Sequence, residues 1–233
     1  MSQSKRQDTD KPHHTGHRAR LKQRFLDNGP EALADYELLE LLLFLGIPRR
    51  DVKPLAKSLI KTFGSLGGVL SADAKDLKEF EGLSDSAVAA IKTVQAAVHH
   101  VMREDIMRKP ILNSWSRLLD YCTLTMAHQK KESFRLLFLN KKNELIADEV
   151  QQTGTVDHTP AYPREIIKRA LEIGATALIL VHNHPSGDPA PSQADIDMTK
   201  MIMEAGRPLN IVVHDHLIIA RGGHVSMRNE GYF

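Results

Sequence analysis

The sequence predicts an N-terminal all-α domain followed by a C-terminal α/β domain. Two observations predict this fold class. Apolar residues recur at helical spacing and without any strand pattern as far as Pro110, and beyond it short β-type apolar runs alternate with helical segments. The predicted boundaries are a disordered tail at 1–15, a helical domain at 16–109 and an α/β domain at 111–233.

Composition excludes several classes of protein. The 233 residues carry 31 Lys and Arg against 29 Asp and Glu, so the net charge of +2 excludes a strongly basic, histone-like nucleic-acid binder. The basic excess is N-terminal, because residues 1–30 hold seven basic against three acidic side chains. The single cysteine, Cys122, lies on an apolar helical stripe and is predicted to be buried; one cysteine excludes an internal disulfide. With no signal-like segment after Met1 and no run long enough to span a bilayer, the sequence predicts a cytoplasmic protein with no membrane partner.

The first half of the chain carries helix start and stop signals in order. His17 begins a basic helix with an apolar edge. Asp35 and Asp51 are predicted N-caps, and the helices that follow them are predicted to stop at Gly46 and near Gly64. The predicted helices cover 17–25, 35–46, 51–64, a segment from 71 or 73 to 80, and 84–107.

The second half alternates strand-like and helical segments. Pro163 stands at the first position of a helix that is predicted to end at Gly174. Asp215 lies between two apolar strands, which predicts a turn. Alternatively, the flanking His214 and His216 are second-layer groups that contact the ligands of the metal site described next. The predicted strands cover 134–139, 144–150, 177–181, 210–213, 217–220 and a short segment around 225. The predicted helices cover a segment around 118–122, then 163–174 and 192–205.

A candidate metal site follows the buried strand at 177–181. His182 and His184 project on one side of the strand end, with Cβ atoms roughly 6.5 Å apart, so both imidazoles can reach one ion. A Pro/Gly loop leads to Ser192-x-x-Asp195, which places the carboxylate in the first turn of the next helix. Two imidazoles and one carboxylate leave a fourth tetrahedral position for water, as in catalytic zinc sites. Alternatively, Ser192 and Asp195 form only a capping box, and the histidines are hydrogen-bonded core residues.

The fourteen residues from His182 to Asp195 resemble the JAMM motif of the MPN metallopeptidases: His-x-His, ten residues, then Asp, with Ser three residues before the Asp. The form His-Asn-His-Pro-Ser-Gly-Asp-Pro is similar to that of the bacterial RadC family, whose members are labelled DNA repair proteins. The resemblance extends to 16–21, 35–40, 162–166 and 212–216. It implies an α-β-α, cytidine-deaminase-like MPN fold for the second domain.

The resemblance also implies a catalytic assembly. The implied ligands of a Zn²⁺ ion with a bound water are His182, His184 and Asp195. In the JAMM family the general base is a Glu at the start of an upstream strand in a Glu-x-apolar-x-x-Leu context, and Glu132 fits that position and context. Glu149 and Glu165 are the alternatives, and Glu132 is otherwise a solvated carboxylate. Ser192 would donate a hydrogen bond to the oxyanion of the tetrahedral intermediate.

The helical domain offers weaker signals for DNA. Residues 77–91 resemble a helix–hairpin–helix, but Ser84 replaces the second glycine of the turn, the usual basic residue is absent and Asp85 would repel a phosphate. An ordinary two-helix hairpin explains them equally well. The better nucleic-acid-binding candidates are Arg18, Arg20 and Arg24 on the basic helix.

The resulting hypothesis is a zinc metallohydrolase that cuts a peptide or isopeptide bond in a protein or peptide substrate. One alternative is a metal-dependent nuclease or DNA-processing protein that binds DNA through its helical domain. The other is a non-catalytic interaction module with a vestigial metal site. A two-His-one-carboxylate iron site is a geometric rival to zinc. The sequence leaves the substrate and the oligomeric state open.

Overall fold

The computed structural model describes residues 16–107, 109–153 and 162–233. The predicted disordered tail, 1–15, lies outside the described residues. The chain divides into two compact units between Val94 and Gln95, inside its longest described helix. The predicted domain ranges, 16–109 and 111–233, stay a prediction. Within the described residues, no helix is both long and apolar enough to cross a membrane.

The described part of the first unit contains helices and no strand, as predicted. The helices are α1 (His17–Asn28), α2 (Asp35–Gly46), α3 (Lys53–Phe63), α4 (Leu66–Ser71), α5 (Ala74–Glu79) and α6 (Asp85–Ile106), which continues into the second unit. The prediction of Asp35 as an N-cap is wrong by one residue. Ala34 is the N-cap, because the Glu37 carboxylate accepts a hydrogen bond from the Ala34 amide at 3.1 Å and leaves Asp35 in the first turn.

The end of α2 lies directly against the start of α6. A Cβ at Gly46 would lie 2.3 Å from the Ala87 backbone nitrogen, so only glycine permits this approach. Ser84 joins the two helices: its hydroxyl donates to the Gly46 carbonyl at 3.0 Å and accepts from the Ala87 amide at 3.2 Å. Ser84, which stands where the hairpin motif has glycine, is therefore the N-terminal cap of α6.

The second unit is a mixed sheet with helices on both faces. Its helices are α7 (Trp115–Met126), α8 (Pro163–Glu172) and α9 (Gln193–Gly206); its strands are β1 (Ser133–Leu139), β2 (Leu145–Thr153), β3 (Ala177–Asn183), β4 (Val212–Ala220) and β5 (Gly223–Ser226). The strand order is β2-β1-β3-β4-β5. Only the β3–β4 pair is parallel among these strands, because α9 carries the chain back to the starting end of the sheet.

The alternation of side chains along β1 and β3 builds two cores. Leu137 and Val181 face α7, where Cys122 is fully buried as predicted. Leu136 and Leu180 face α8 and α9. The unit thus has an α-β-α arrangement, and residues on β3 alternate between the two layers.

The prediction of a turn at Asp215 is wrong. β4 is one continuous strand over Val212–Ala220 with a bulge at His214: Leu178 pairs with Val213, but the next residue of β3, Ile179, pairs with Asp215. A buried carboxylate is tolerated in this strand because Asp215 accepts hydrogen bonds from the Ser226 hydroxyl at 2.5 Å and the Arg228 amide at 3.1 Å.

Candidate metal centre

The three side chains proposed as metal ligands come together where β3 ends and α9 begins. His182 Nε2 lies 2.9 Å from His184 Nε2 and 3.2 Å from Asp195 Oδ1, and His184 Nε2 lies 3.7 Å from Asp195 Oδ2. Their ligand atoms all lie within 4.8 Å of one another. Among the residues that the structure describes, they are the one group of three or more His, Cys, Asp or Glu side chains with this convergence.

The start of α9 places the carboxylate. The amide and hydroxyl of Ser192 both donate to Asp195 Oδ2 at 2.7 Å, and the Asp195 amide donates back to the Ser192 hydroxyl at 3.3 Å. The Ser192-x-x-Asp195 pair is therefore a capping box, as one interpretation of the sequence predicts. The cap holds one carboxylate oxygen and leaves the other facing His182, so the capping box leaves one oxygen available to a metal.

The hydrogen bonds behind the two imidazoles fix their tautomers. His184 Nδ1 lies 2.9 Å from the Asp188 carbonyl, which can only accept. The Thr199 hydroxyl donates to the Asp195 carbonyl at 2.6 Å, so it accepts from His216 Nδ1, also at 2.6 Å. Neutral His216 then accepts, at 2.8 Å, from His182 Nδ1. Both metal-facing Nε2 atoms are thus left as electron-pair donors.

Burial and mutual contacts shift the pKa values of the groups in this cluster. Burial keeps the pKa of His216 well below its ordinary value, so this ring is neutral. A hydrogen bond with Asp195 is the main cause that raises the pKa of His184. Burial would raise the pKa of Asp195, but hydrogen bonds with His182 and His184 outweigh it and hold this pKa far below its ordinary value. Three electron-pair donors this close need a positive charge between them. A proton shared by the imidazoles and the carboxylate can supply it, and a divalent cation can take the place of that proton.

Glu132 lies directly before β1, beside this cluster. It is half-buried and precedes by two residues Phe134, whose ring stacks on the His182 imidazole with centroids 6.3 Å apart. The hydrogen bonds of His184 to Asp195 and to the Asp188 carbonyl are larger causes of its raised pKa, and the negative charge of Glu132 raises this pKa further.

The two rival glutamates are engaged elsewhere. The Glu149 carboxylate on β2 accepts from the Arg169 guanidinium at distances of 2.7 and 3.1 Å. Glu165 lies in the first turn of α8 and pairs with Arg164 at 3.2 Å. Glu132 is therefore the best placed of the three to act at the histidine pair.

Two groups behind the ligands were missed or misjudged from the sequence. Thr199 carried no signal of its own, although it lies four residues after Asp195 and hence on the same face of α9. The sequence predicts a turn at Asp215 rather than a supporting role for His216. The continuous β4 instead brings His216 within hydrogen-bond distance of His182.

The cationic candidates of α1 take part in the packing of the helical unit. Arg18 donates to the carbonyls of Ile47 and Arg50 at 2.6 and 2.5 Å, and its guanidinium lies 4.2 Å from the centroid of the Phe44 ring. Arg24 pairs with Glu37 at 2.5 Å, and Arg20 is exposed on the same helix. Internal contacts thus account for Arg18 and Arg24 without nucleic acid.

The 77–91 segment forms a two-helix hairpin of α5 and α6. Gly82 has a φ of 91° in the turn, and its carbonyl accepts from the Arg50 guanidinium at 2.9 Å. Asp85 pairs with Lys78 at 3.3 Å. Arg50 therefore brings to this turn a positive charge that the hairpin sequence itself does not supply.

Comparison with protein-family models gives two matches. Residues 112–232 match the RadC-like JAB domain, and residues 13–89 match the UPF0758 N-terminal domain. The first match supports a JAMM/MPN-type metal-dependent hydrolase or a DNA-repair role, and domains of this type typically bind metal. Since the JAB match alone spans more than half of the 233 residues, the chain belongs to the RadC family, with an MPN/JAB domain following a helical N-terminal region.

Proposed function

We propose that the protein is a zinc-dependent hydrolase of the JAMM type that cuts a peptide or isopeptide bond. One observation carries the proposal: two imidazoles and a carboxylate bring their ligand atoms within 4.8 Å of one another, with Glu132 beside them. Three protein ligands with water in the fourth position are the arrangement of catalytic zinc sites.

The distances are compatible with zinc. Tetrahedral zinc with bonds of about 2.1 Å to nitrogen and oxygen places its ligand atoms about 3.4 Å apart. The closest contacts between the three side chains, at 2.9, 3.2 and 3.7 Å, bracket that value. When bound, zinc would lower the pKa of a water molecule to about 7.

The remaining chemistry belongs to side chains. Glu132 takes a proton from the attacking water, whose oxygen adds to the substrate carbonyl carbon. When the carbon–nitrogen bond breaks, Glu132 returns the proton to the leaving amine. Rotation of the Ser192 hydroxyl away from Asp195 lets it donate to the oxyanion, while the Ser192 amide keeps its bond to the carboxylate.

An acyl centre suits this site better than a phosphodiester. Many nucleases hold two metal ions about 3.5–4 Å apart, one for the attacking and one for the leaving oxygen. Within the described ranges, the chain offers one three-ligand cluster for one ion. Two of the three candidate DNA-binding arginines, Arg18 and Arg24, are also engaged in contacts within their own unit.

The test combines metal analysis with matched variants. Purified wild type, His182→Ala, Glu132→Gln and Glu149→Gln are analysed for zinc and assayed on isopeptide-linked peptides and branched DNA. We expect one zinc per wild-type chain and little in His182→Ala. Glu132→Gln should keep zinc but lose activity roughly 10²- to 10⁴-fold, the usual contribution of a general base. Glu149→Gln, which affects a rival carboxylate, should stay active.

Three outcomes would overturn the proposal. Wild type without stoichiometric metal would exclude the zinc site. Full activity of Glu132→Gln with loss of activity in Glu149→Gln would move the base to Glu149. Cleavage of branched DNA but not of the isopeptide bond would establish the nuclease alternative.

A further inference from the structure

The carboxamide of Asn183, between the two histidines, holds the segment that carries Glu132. Asn183 is 1% exposed, and alternation along β3 turns its side chain to the opposite face from His182. Its Oδ1 accepts from the Ser133 amide at 2.9 Å. Its Nδ2 donates to the Lys131 carbonyl at 3.1 Å and to the Gln129 carbonyl at 3.4 Å.

These bonds bracket Glu132. One falls on the residue before it, Lys131, and one on the residue after it, Ser133. The backbone pairing of β1 with β3 ends at Phe134 and His182, so the Asn183 side chain continues the connection one residue beyond the last paired residues. The backbone on either side of Glu132 is therefore tied to the residue that separates the two histidines.

The bonds require a carboxamide of this length. The position needs an acceptor for the Ser133 N–H and a donor for the Lys131 carbonyl on one short side chain. Aspartate keeps the acceptor but sets a negative charge against a carbonyl oxygen, and leucine supplies neither group. A buried polar group without its partner is costly, so either change would release the segment.

We infer that Asn183 is a positioning residue that fixes Glu132 relative to the histidine pair. The inference rests on the proposed function, in which Glu132 is the general base. A base acts only within hydrogen-bond reach of the proton it moves, and a displacement of about 1 Å can cost roughly 10²-fold in rate. Asn183 thus acts on the proton-transfer step and leaves the metal ligands unchanged.

The experiment compares Asn183→Asp and Asn183→Leu with a matched control, Asn140→Asp. The Asn140 side chain accepts from the amides of Lys142 and Glu144 at the other end of β1. We expect both Asn183 variants to keep wild-type zinc affinity and KM but to lose kcat roughly 10- to 100-fold. The Asn140 variant should keep wild-type kcat.

A double-mutant cycle tests whether Asn183 affects kcat through Glu132. Where Glu132 is already glutamine, Asn183→Asp should lower the remaining kcat less than twofold, because the group it positions is no longer a base. Fully additive losses, an unchanged kcat in both single variants, or loss of zinc in folded Asn183 variants would each overturn the inference.

Amide hydrogen exchange separates this inference from the proposed function. The Ser133 amide should exchange at least tenfold faster in Asn183→Leu than in wild type, whether or not the protein is a hydrolase. If wild type shows no hydrolysis but Ser133 loses its protection in the variant, the proposed function fails and the structural anchor stands. If exchange at Ser133 is unchanged, the positioning inference fails even in an active enzyme.

Discussion

Replacing Thr199 by valine should weaken zinc binding without altering any ligand. The hydroxyl of buried Thr199 joins His216 Nδ1 to the Asp195 carbonyl, with 2.6 Å on either side, and valine has the same shape without that hydroxyl. In the metal-free variant, His216 can move its proton to Nε2 and donate to His182 Nδ1, with the His182 proton on Nε2. Zinc binding would reverse both tautomers and leave the His216 N–H against a methyl group.

The cost of that buried donor sets the magnitude. An unsatisfied buried N–H costs about 1–3 kcal/mol, and about 1.4 kcal/mol is tenfold in an equilibrium constant, so the zinc Kd should rise roughly 5- to 150-fold. Competition with a chromophoric chelator measures it. Thr199→Ser keeps the hydroxyl and should bind zinc like wild type. A Thr199→Val Kd within twofold of wild type would refute the proton arrangement.

Two further predictions concern the cores. Burial raises the pKa of the Cys122 thiol to about 12, so the native protein should not react with a thiol reagent at pH 8. The denatured chain should take up one equivalent of the reagent. Labelling of the native state would contradict this prediction. Gly46→Ala should lower the free energy of unfolding by about 3 kcal/mol in urea titrations, because its methyl group would overlap the Ala87 backbone. At Gly67 a Cβ would meet only the Ser65 hydroxyl at 3.7 Å, so Gly67→Ala is the control; equal stabilities of the two variants would exclude a tight helix contact at Gly46.

Periodicity predicts most of the fold because each amphipathic face is local in sequence. The long α6 and the alternation of strands and helices after 110 follow from apolar spacing alone. The short α4 does not, since Leu66-Gly-Gly has weak helix propensity and the helix depends on the Ser65 hydroxyl, which accepts from the Gly68 amide at 3.0 Å.

At the site, the sequence predicts the convergence of the three ligand side chains. It does not predict the hydrogen-bond partners that orient them. His182 and His184 share a strand end and Asp195 opens the next helix, so local geometry predicts their convergence. Other contacts at the site join distant segments: His182 lies beside His216, and Asn183 bonds to a segment about fifty residues away. No pattern in either segment of such a pair predicts the other.

Charge patterns were less informative. The spacing of Arg18 and Arg24 on α1 predicts a cationic surface, yet Arg18 lies on Phe44 and Arg24 on Glu37. The sequence shows how many charged residues a helix carries, but only the packed structure shows which of them have a partner within the protein.

The bulge at His214 sets which face of β4 carries His216. Strand side chains alternate, so one extra residue inverts the facing of all that follow. With the bulge, His216 reaches His182 and Asp215 points to the other face. If His214 paired with Ile179 in a regular ladder instead, Asp215 would take the place of His216 and set a carboxylate behind an imidazole. Deletion of His214 would remove the bulge and keep the observed facing, because Asp215 and His216 could still pair with Ile179 and Leu180. The site depends on the register of the strand as well as on which residues it contains.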